Sequence, residues 1–343
     1  MKYDIPRSFR SQAAACIKLG SPFMGRLMTL FAERLTAGTR VADEVLGWKG
    51  DPRPQADNVP LRLAGALHAL RIEGLAFANE YPPSEVSDDA LWAAIEAAMI
   101  VHEKRILEWL ENAPQTNEVR RSAVILPALA LAYEHFGCDF DLLEVGCSGG
   151  LNLFADKFRL DLPRTRLGDS NATVRLSPEW SGQMPPVNLP HINRRLGVDL
   201  NPLNPSDDMG RLRLLAYLWP DQPDRIERTS AAISVALENP PKVTQEDAGS
   251  WLAKELSKPA SVGRFVFHTI AWQYFPSATS DMGQKAILMA SQTATDRNPL
   301  VHLSMEAAGG EGASVKLTLW PGGATKEVAR ADFHGRWVDW TGL

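Results

Sequence analysis

Little in this sequence points outward. Its three cysteines, Cys16, Cys138 and Cys147, are scattered without disulfide or metal spacing, so a reducing cytoplasm is the expected setting and no metal site is expected. No apolar run approaches the roughly 18 residues that a membrane span needs. The opening MKYDIPRSFR has neither an apolar stretch nor a small-residue cleavage site, so no secretory leader is expected. Charge of neither sign dominates. A net charge of −5 gives no electrostatic reason to expect nucleic acid or an anionic membrane surface as a partner. Repeats and low-complexity segments are absent too. What is left is an ordinary globular composition, 45% hydrophobic and 22% charged, in 343 residues, enough for two domains with separate cores.

Strands are missing from the first 136 residues, which read as helix after helix. Ser21-Pro22 is an N-cap followed by proline at the first helical position, and Phe23, Leu27, Leu30, Phe31 and Leu35 line one face. Ser87-Asp88-Asp89 opens another helix, with Leu91, Ile95, Met99, Ile106 and Leu110 at helical spacing. A third runs from Glu118 to His135, carries Pro127 inside it and stops at Gly137. Residues 1–136 are therefore expected to form a helical N-terminal domain, a cap or substrate domain.

From Cys138 the texture alternates. FDLLEV (140–145), RLGVDL (195–200), KVTQEDA (242–248), RFVFHTI (264–270) and PLVHLSM (299–305) are candidate strands with helical segments between them, the pattern of a doubly wound, mostly parallel α/β sheet. VKLTLW (315–320), the turn Pro321-Gly322-Gly323 and EVARAD (327–332) then read as a late antiparallel hairpin. Residues 137–343 are expected to be one α/β domain, with a loop-rich insertion at about 159–190.

Its chemistry is expected in DLLEVGCSGGLNLFAD (141–156), where a buried-type strand breaks into glycines and resumes as helix. A dinucleotide loop would place glycine or alanine at position 151, where this chain has leucine, and Glu144 would repel a pyrophosphate. The same carboxylate suits S-adenosylmethionine, whose amino acid end carries an ammonium and whose sulfonium is cationic. Glu144, Gly146, Ser148 and Gly150 have the shape of the first motif of class I methyltransferases, with serine in the middle glycine position. Loop N–H groups at a helix N-terminus would meet the cofactor's carboxylate. Gly146-Cys147-Ser148-Gly149-Gly150 also spells G-x-S-x-G, a serine nucleophile elbow, although the helical front and the lack of an HGGG-type stretch rank a hydrolase second. A non-catalytic ligand-binding protein on a degenerate fold is the other alternative.

Further candidates sit at the other strand ends. Asp199, with Asn201, follows the second strand and is placed to take ribose hydroxyls; Asp247, with Ala248, ends the third and would accept the adenine amino group or cap the next helix. His268, Gln273 and Tyr274 follow the fourth strand and are the candidate catalytic groups, His268 as general base. Gln115, Asn117 and Glu118 in QTNEVRR, and His334 and Arg336 in HGRW, are polar beyond what packing requires and are candidates for acceptor binding.

The blocks QTNEVRRSA (115–123), LLEVGCSGGLNL (142–153), GVDLNPL (197–203), RLRLLAYLWPDQPDR (211–225), EDAGSWL (246–252), FHTIAWQYFP (267–276) and FHGRWVDW (333–340) cover most of the chain. Together they resemble the uncharacterised bacterial family known as domain of unknown function 2332. That resemblance implies a class I methyltransferase sheet. It puts Glu144, Gly146, Ser148 and Gly150 at the methionine end of S-adenosylmethionine, Asp199 at its ribose and Asp247 at its adenine, and Cys147, Asn152, Asn201 and Ala248 are further candidates for cofactor binding. Methyl transfer to a small or medium-sized acceptor is the expected reaction.

Overall fold

The computed structural model describes residues 4–343, which divide into two compact units, one reaching Thr116 and including Asp207–Glu227, the other made of Asn117–Ser206 and Arg228–Leu343. The first is helical. Its helices α1 (Ile5–Lys18), α2 (Pro22–Arg34), α3 (Arg40–Leu46), α4 (Val59–Ile72) and α5 (Asp88–Val101) each open on a side chain that accepts a backbone N–H of the first turn: Asp4, Ser21, Thr39, Asn58 and Ser87. Each cap of this kind is worth about 1 kcal/mol. The helical spacing of residues 88–110 is broken at His102, where φ −110° and ψ 25° leave the helical region, and α6 (Glu103–Leu110) resumes it.

The chain then enters the second unit through a 3₁₀ turn (Val119–Arg121), α7 (Ser122–Phe136) and β1 (Phe140–Val145). Pro127 lies inside α7, and Gly137 closes it at φ 64°, the left-handed conformation in which a side chain is disfavoured. The insertion follows. It is not all loop: β2 (Arg159–Asp161), β3 (Arg166–Gly168) and β4 (Arg175–Leu176) make a small sheet, and β5 (Glu179–Gly182) joins the main sheet beside its last strand. Strands of two to four residues are too short for periodicity to reveal, and each of the first three buries a single leucine, Leu160, Leu167 and Leu176.

After β6 (Ile192–Asp199) the chain supplies α8 (Asp208–Ala216) to the first unit, and α9 (Pro223–Glu238) carries it back into the second. The first unit's core is built on Leu27, Met28, Phe31, Leu63, Leu67 and Ile95. Buried His68 holds its Nδ1 3.1 Å from the Ala216 carbonyl, and burial pushes its imidazole down to about 4, so it packs neutral.

The second unit completes its sheet with β7 (Lys242–Gln245), α10 (Ala248–Leu256), β8 (Gly263–Thr269), α11 (Ser277–Ser291), β9 (Leu300–Ala307), β10 (Ala313–Trp320), β11 (Thr325–Ala331) and β12 (Trp337–Trp340). Nine strands lie in the order β7-β6-β1-β8-β9-β10-β11-β12-β5. Pairing is parallel from β7 to β9, antiparallel from β9 to β12, and parallel again between β12 and β5. β1 and β8 are buried along their whole length, and the apolar residues that dominate them suit strands covered on both faces. One covered face packs Leu143, Val145 and Val266 against Trp251, Leu252 and Ile287 of α10 and α11. In chain order the five parallel strands run 3-2-1-4-5, so the order reverses between β1 and β8, the switch point where open α/β sheets gather ligands. Among the described residues no helix is long and apolar enough to cross a membrane.

Candidate functional site

The loop after β1 leaves the sheet at this switch point. Glu144, the penultimate residue of β1, has Gly197 of β6 and Phe267 of β8 as lateral neighbours and is only 2% exposed. Its Oε2 is buried with no hydrogen-bond partner. Burial drives the Glu144 carboxyl well above the ordinary carboxylate range; the Asn152 hydrogen bond and the Arg121 charge pull the other way, and the Asp199 charge adds to the rise. A carboxyl kept in this state is stabilised by the arrival of a cation.

Gly146 turns the chain out of the strand at φ 68°, and its open side is closed by Ala271, whose Cβ would lie 2.5 Å from any Cβ placed there. Gly197 clears the space for the Cys147 thiol, 2.6 Å from where its own Cβ would stand. Ser148 is the outlier. It holds φ 52° without being glycine, it is buried, and its Oγ has no partner. The loop's N–H groups are not held open for a ligand, as the sequence had led us to expect. Gly146 and Cys147 donate to the Val198 carbonyl at 2.9 and 3.1 Å, Ser148 to Asp199 Oδ2 at 2.8 Å, Gly150 to the Cys147 carbonyl at 2.8 Å, and Leu151 to Asn117 Oδ1 at 2.9 Å. Five of the six N–H groups from Gly146 to Leu151 are thus satisfied within the protein.

Two of the polar blocks meet the loop. Asn117 and Glu118 are buried; Ser122 donates to Asn152 Oδ1 at 2.8 Å, and the Asn152 amide donates to the Glu118 carbonyl at 3.3 Å. Arg121, which the sequence reading had not singled out, donates to the carbonyls of Thr269 and Phe333 at 2.9 and 3.0 Å. The turn before β12 thus reaches the same place, with Gly335 packed so tightly on Arg120 that a Cβ would lie 2.5 Å from its carbonyl oxygen. Arg336 instead forms a two-pronged pair with Asp332, at 2.9 and 2.7 Å, and the His334 N–H donates to the same carboxylate. Gln115 belongs to the first unit and is half-buried.

Of the expected catalytic trio, His268 and Gln273 hydrogen-bond within the protein and Tyr274 is exposed. His268 is buried, with Nδ1 2.7 Å from Glu306 Oε1 and Nε2 3.1 Å from His302 Nε2, and Trp272 stacks on its ring. Glu306 also accepts the N–H groups of Ala271 and Trp272, both at 3.0 Å. Burial would raise its carboxyl, but the His268 hydrogen bond and charge and those N–H groups outweigh it and hold the carboxyl low. Burial and the His268 charge push His302 down to about 3, so it stays neutral. Gln273 Oε1 accepts from the Ala307 N–H at 3.0 Å, and Tyr274 is exposed. With both His268 nitrogens engaged and Ser148 Oγ unpartnered, the serine–histidine hydrogen bond that a nucleophile elbow requires is absent. His302 carried one usable sequence signal, an ionisable residue inside a strand-type run, and Glu306 directly follows that run.

The acidic strand ends are occupied from within as well. Asp199 accepts from Ser148 and Asn201 N–H, and Asp247 caps α10 through the Ser250 N–H at 2.9 Å while accepting the Thr279 hydroxyl at 2.6 Å. Those Thr279 and Ser250 bonds hold the Asp247 carboxyl low. Ala248 is the buried first residue of α10.

Fold and site together define a mostly parallel α/β protein with a glycine loop and a buried carboxyl at the switch point of its sheet. The chain belongs to the family described as "Uncharacterized protein conserved in bacteria (DUF2332)", whose model matches residues 6–340. No curated protein and no solved structure matches it.

Proposed function

We propose that this protein binds S-adenosylmethionine at the Glu144–Asn152 loop and directs its methyl group to a small or medium-sized acceptor. The observation that carries the reading is Glu144 Oε2, a carboxyl oxygen buried without a partner at the end of the strand beside the switch point. An unsatisfied buried polar atom costs about 1–3 kcal/mol, a penalty that a cationic ligand reaching Glu144 would remove. S-adenosylmethionine supplies an electrophilic methyl group on a cationic sulfur.

The residues fit the cofactor through their side chains. Glu144 faces the ammonium of the amino acid end. Asp199, which accepts the Ser148 and Asn201 N–H groups, stands at the end of β6 beside the switch point, where it is the residue assigned to the ribose hydroxyls. Asp247, at the start of α10, is the residue assigned to the adenine amino group. Burial around Glu144 excludes water and strengthens its attraction for a positive charge. Positioning the acceptor in line is the contribution expected of the rest of the site.

Calorimetric titration with S-adenosylhomocysteine at near-neutral pH tests this reading. Micromolar binding that disappears in Glu144→Ala supports it, and no binding at millimolar ligand overturns it.

A further inference from the structure

We propose that the helical unit binds a small oxyanion, the carboxylate or phosphate group of a small molecule, at a cluster made by Arg62, Trp109, Arg213 and Tyr217. All four residues belong to that unit, so the site is independent of the glycine loop. Arg213 and Tyr217 come from RLRLLAYLWPDQPDR, a block to which the methyl-transfer reading gives no role.

The polar atoms these side chains bring together can all donate. Trp109, on α6, is 3% exposed, and its Nε1 has no hydrogen-bond partner. The Nε of Arg213, on α8, is likewise buried without a partner, and the guanidinium stands 6.0 Å from the centre of the Trp109 ring. Tyr217, the C-cap of α8, is buried, and its hydroxyl donates to the Asn112 carbonyl over a long 3.4 Å. Burial pushes that hydroxyl up to about 12, while Arg213, Trp109 and Arg62 pull it the other way, so the three surround one oxygen. Trp109 acts there through proximity, since its Nε1 makes no hydrogen bond of ordinary geometry. Gly65, on α4, permits the convergence: a Cβ there would lie 2.5 Å from the Tyr217 ring and 3.3 Å from Trp109 Nε1.

The cluster lacks a counter-charge. Arg62, on α4, is 8% exposed and donates to the carbonyls of Asp57 and Leu110 at 2.6 and 2.8 Å. The Asp57 charge reaches it, but that carboxylate is bonded to Trp48 Nε1 at 2.8 Å. Among the described residues neither Arg62 nor Arg213 forms an ion pair, whereas Arg105, 5.5 Å from the Trp109 ring centre, is matched by Glu73 at 2.8 Å. Carbonyls and aromatic rings orient a guanidinium and leave its charge whole, and buried charges are ordinarily paired. Two such charges beside an indole N–H and a phenol repel a cation, and a neutral ligand leaves them unanswered. An oxyanion answers both, because its oxygens accept several charge-assisted bonds at once. Arg213 is half-buried and is the member that solvent reaches.

Titration calorimetry of the full chain tests the site, at near-neutral pH and constant ionic strength, with inorganic phosphate and acetate as separate probes. One equivalent of phosphate or of acetate should bind the wild type, and the tighter probe identifies the oxyanion. Trp109→Phe keeps an aromatic ring and removes the N–H, and Arg213→Gln removes the charge. Each should weaken that binding roughly tenfold or more. Tyr217→Phe carries the test if either variant does not fold. Absence of binding by both probes at millimolar concentration overturns the proposal. So does binding that Trp109→Phe and Arg213→Gln leave unchanged, which would put the anion on exposed arginines instead. S-adenosylhomocysteine enters none of these titrations, so their failure and the failure of the methyl-transfer reading are separate results.

Discussion

Asp199, at the end of β6, accepts the N–H of Ser148, at the middle of the loop after β1, over 2.8 Å, and 51 residues of chain separate the two. The same carboxylate accepts the Asn201 N–H at 2.9 Å, so one side chain fixes two loops at the switch point.

Removing that carboxylate should loosen both loops together. Asp199→Ala is expected to destabilise the protein by about 2 kcal/mol, the scale of charged-acceptor hydrogen bonds in a half-buried setting. Urea denaturation checks the value, and a change under about 0.5 kcal/mol would show that the loops hold themselves.

Glu144 makes a prediction of the opposite sign. Its folded carboxyl lies well above its unfolded value, so the unfolded chain ionises first as pH rises. Stability from this group is fully present below about pH 4, near the unfolded pKa, and is lost upward toward the folded pKa. Glu144→Gln stays neutral throughout. It should melt higher than the wild type at about pH 8 and lose that advantage near pH 4, while no longer binding S-adenosylhomocysteine. Melting curves across the range decide it; a variant less stable than wild type at every pH would make Glu144 a structural residue.

The carboxyl of Glu306 is held low, and the dependence reverses. Its contribution is present above about pH 4.3, the unfolded value, and is lost as pH falls through the folded pKa. Glu306→Gln, which weakens the bonds to His268 and to the N–H groups of Ala271 and Trp272, should cost about 3 kcal/mol at neutral pH and flatten the acid arm of the stability profile. Guanidinium unfolding at several pH values gives both numbers.

Gly146→Ala is expected to cost about 3 kcal/mol, combining the left-handed φ with a methyl group driven into Ala271. Chemical denaturation measures it. A loss below about 1 kcal/mol would mean that the 270–275 segment yields easily.

Most of the frame was legible in the residues. FDLLEV, RFVFHTI and the Pro321-Gly322-Gly323 turn carry their structure in composition alone, because buried parallel strands are continuous apolar runs and hairpins need turn residues. The insertion was not, since strands as short as Arg175–Leu176 exist only through their partners. The loop after β1 was located by its glycines, but its inner state was hidden. That Asn117 reaches Leu151, and Asp199 reaches Ser148, depends on chain returning from 34 and 51 residues away. The partners of His268, Glu306 and His302, were hidden for the same reason, lying 38 and 34 residues further on.

Arg121 spans further still. Its guanidinium joins the Thr269 carbonyl to the Phe333 carbonyl, the latter 212 residues along the chain, within the same surroundings that act on Glu144. Contacts of such separation form late, because loop closure must precede any reward. During synthesis the strand bearing Glu144 emerges long before Phe333 does. The bond from Arg121 to Phe333 therefore forms after the strand bearing Glu144 has been made.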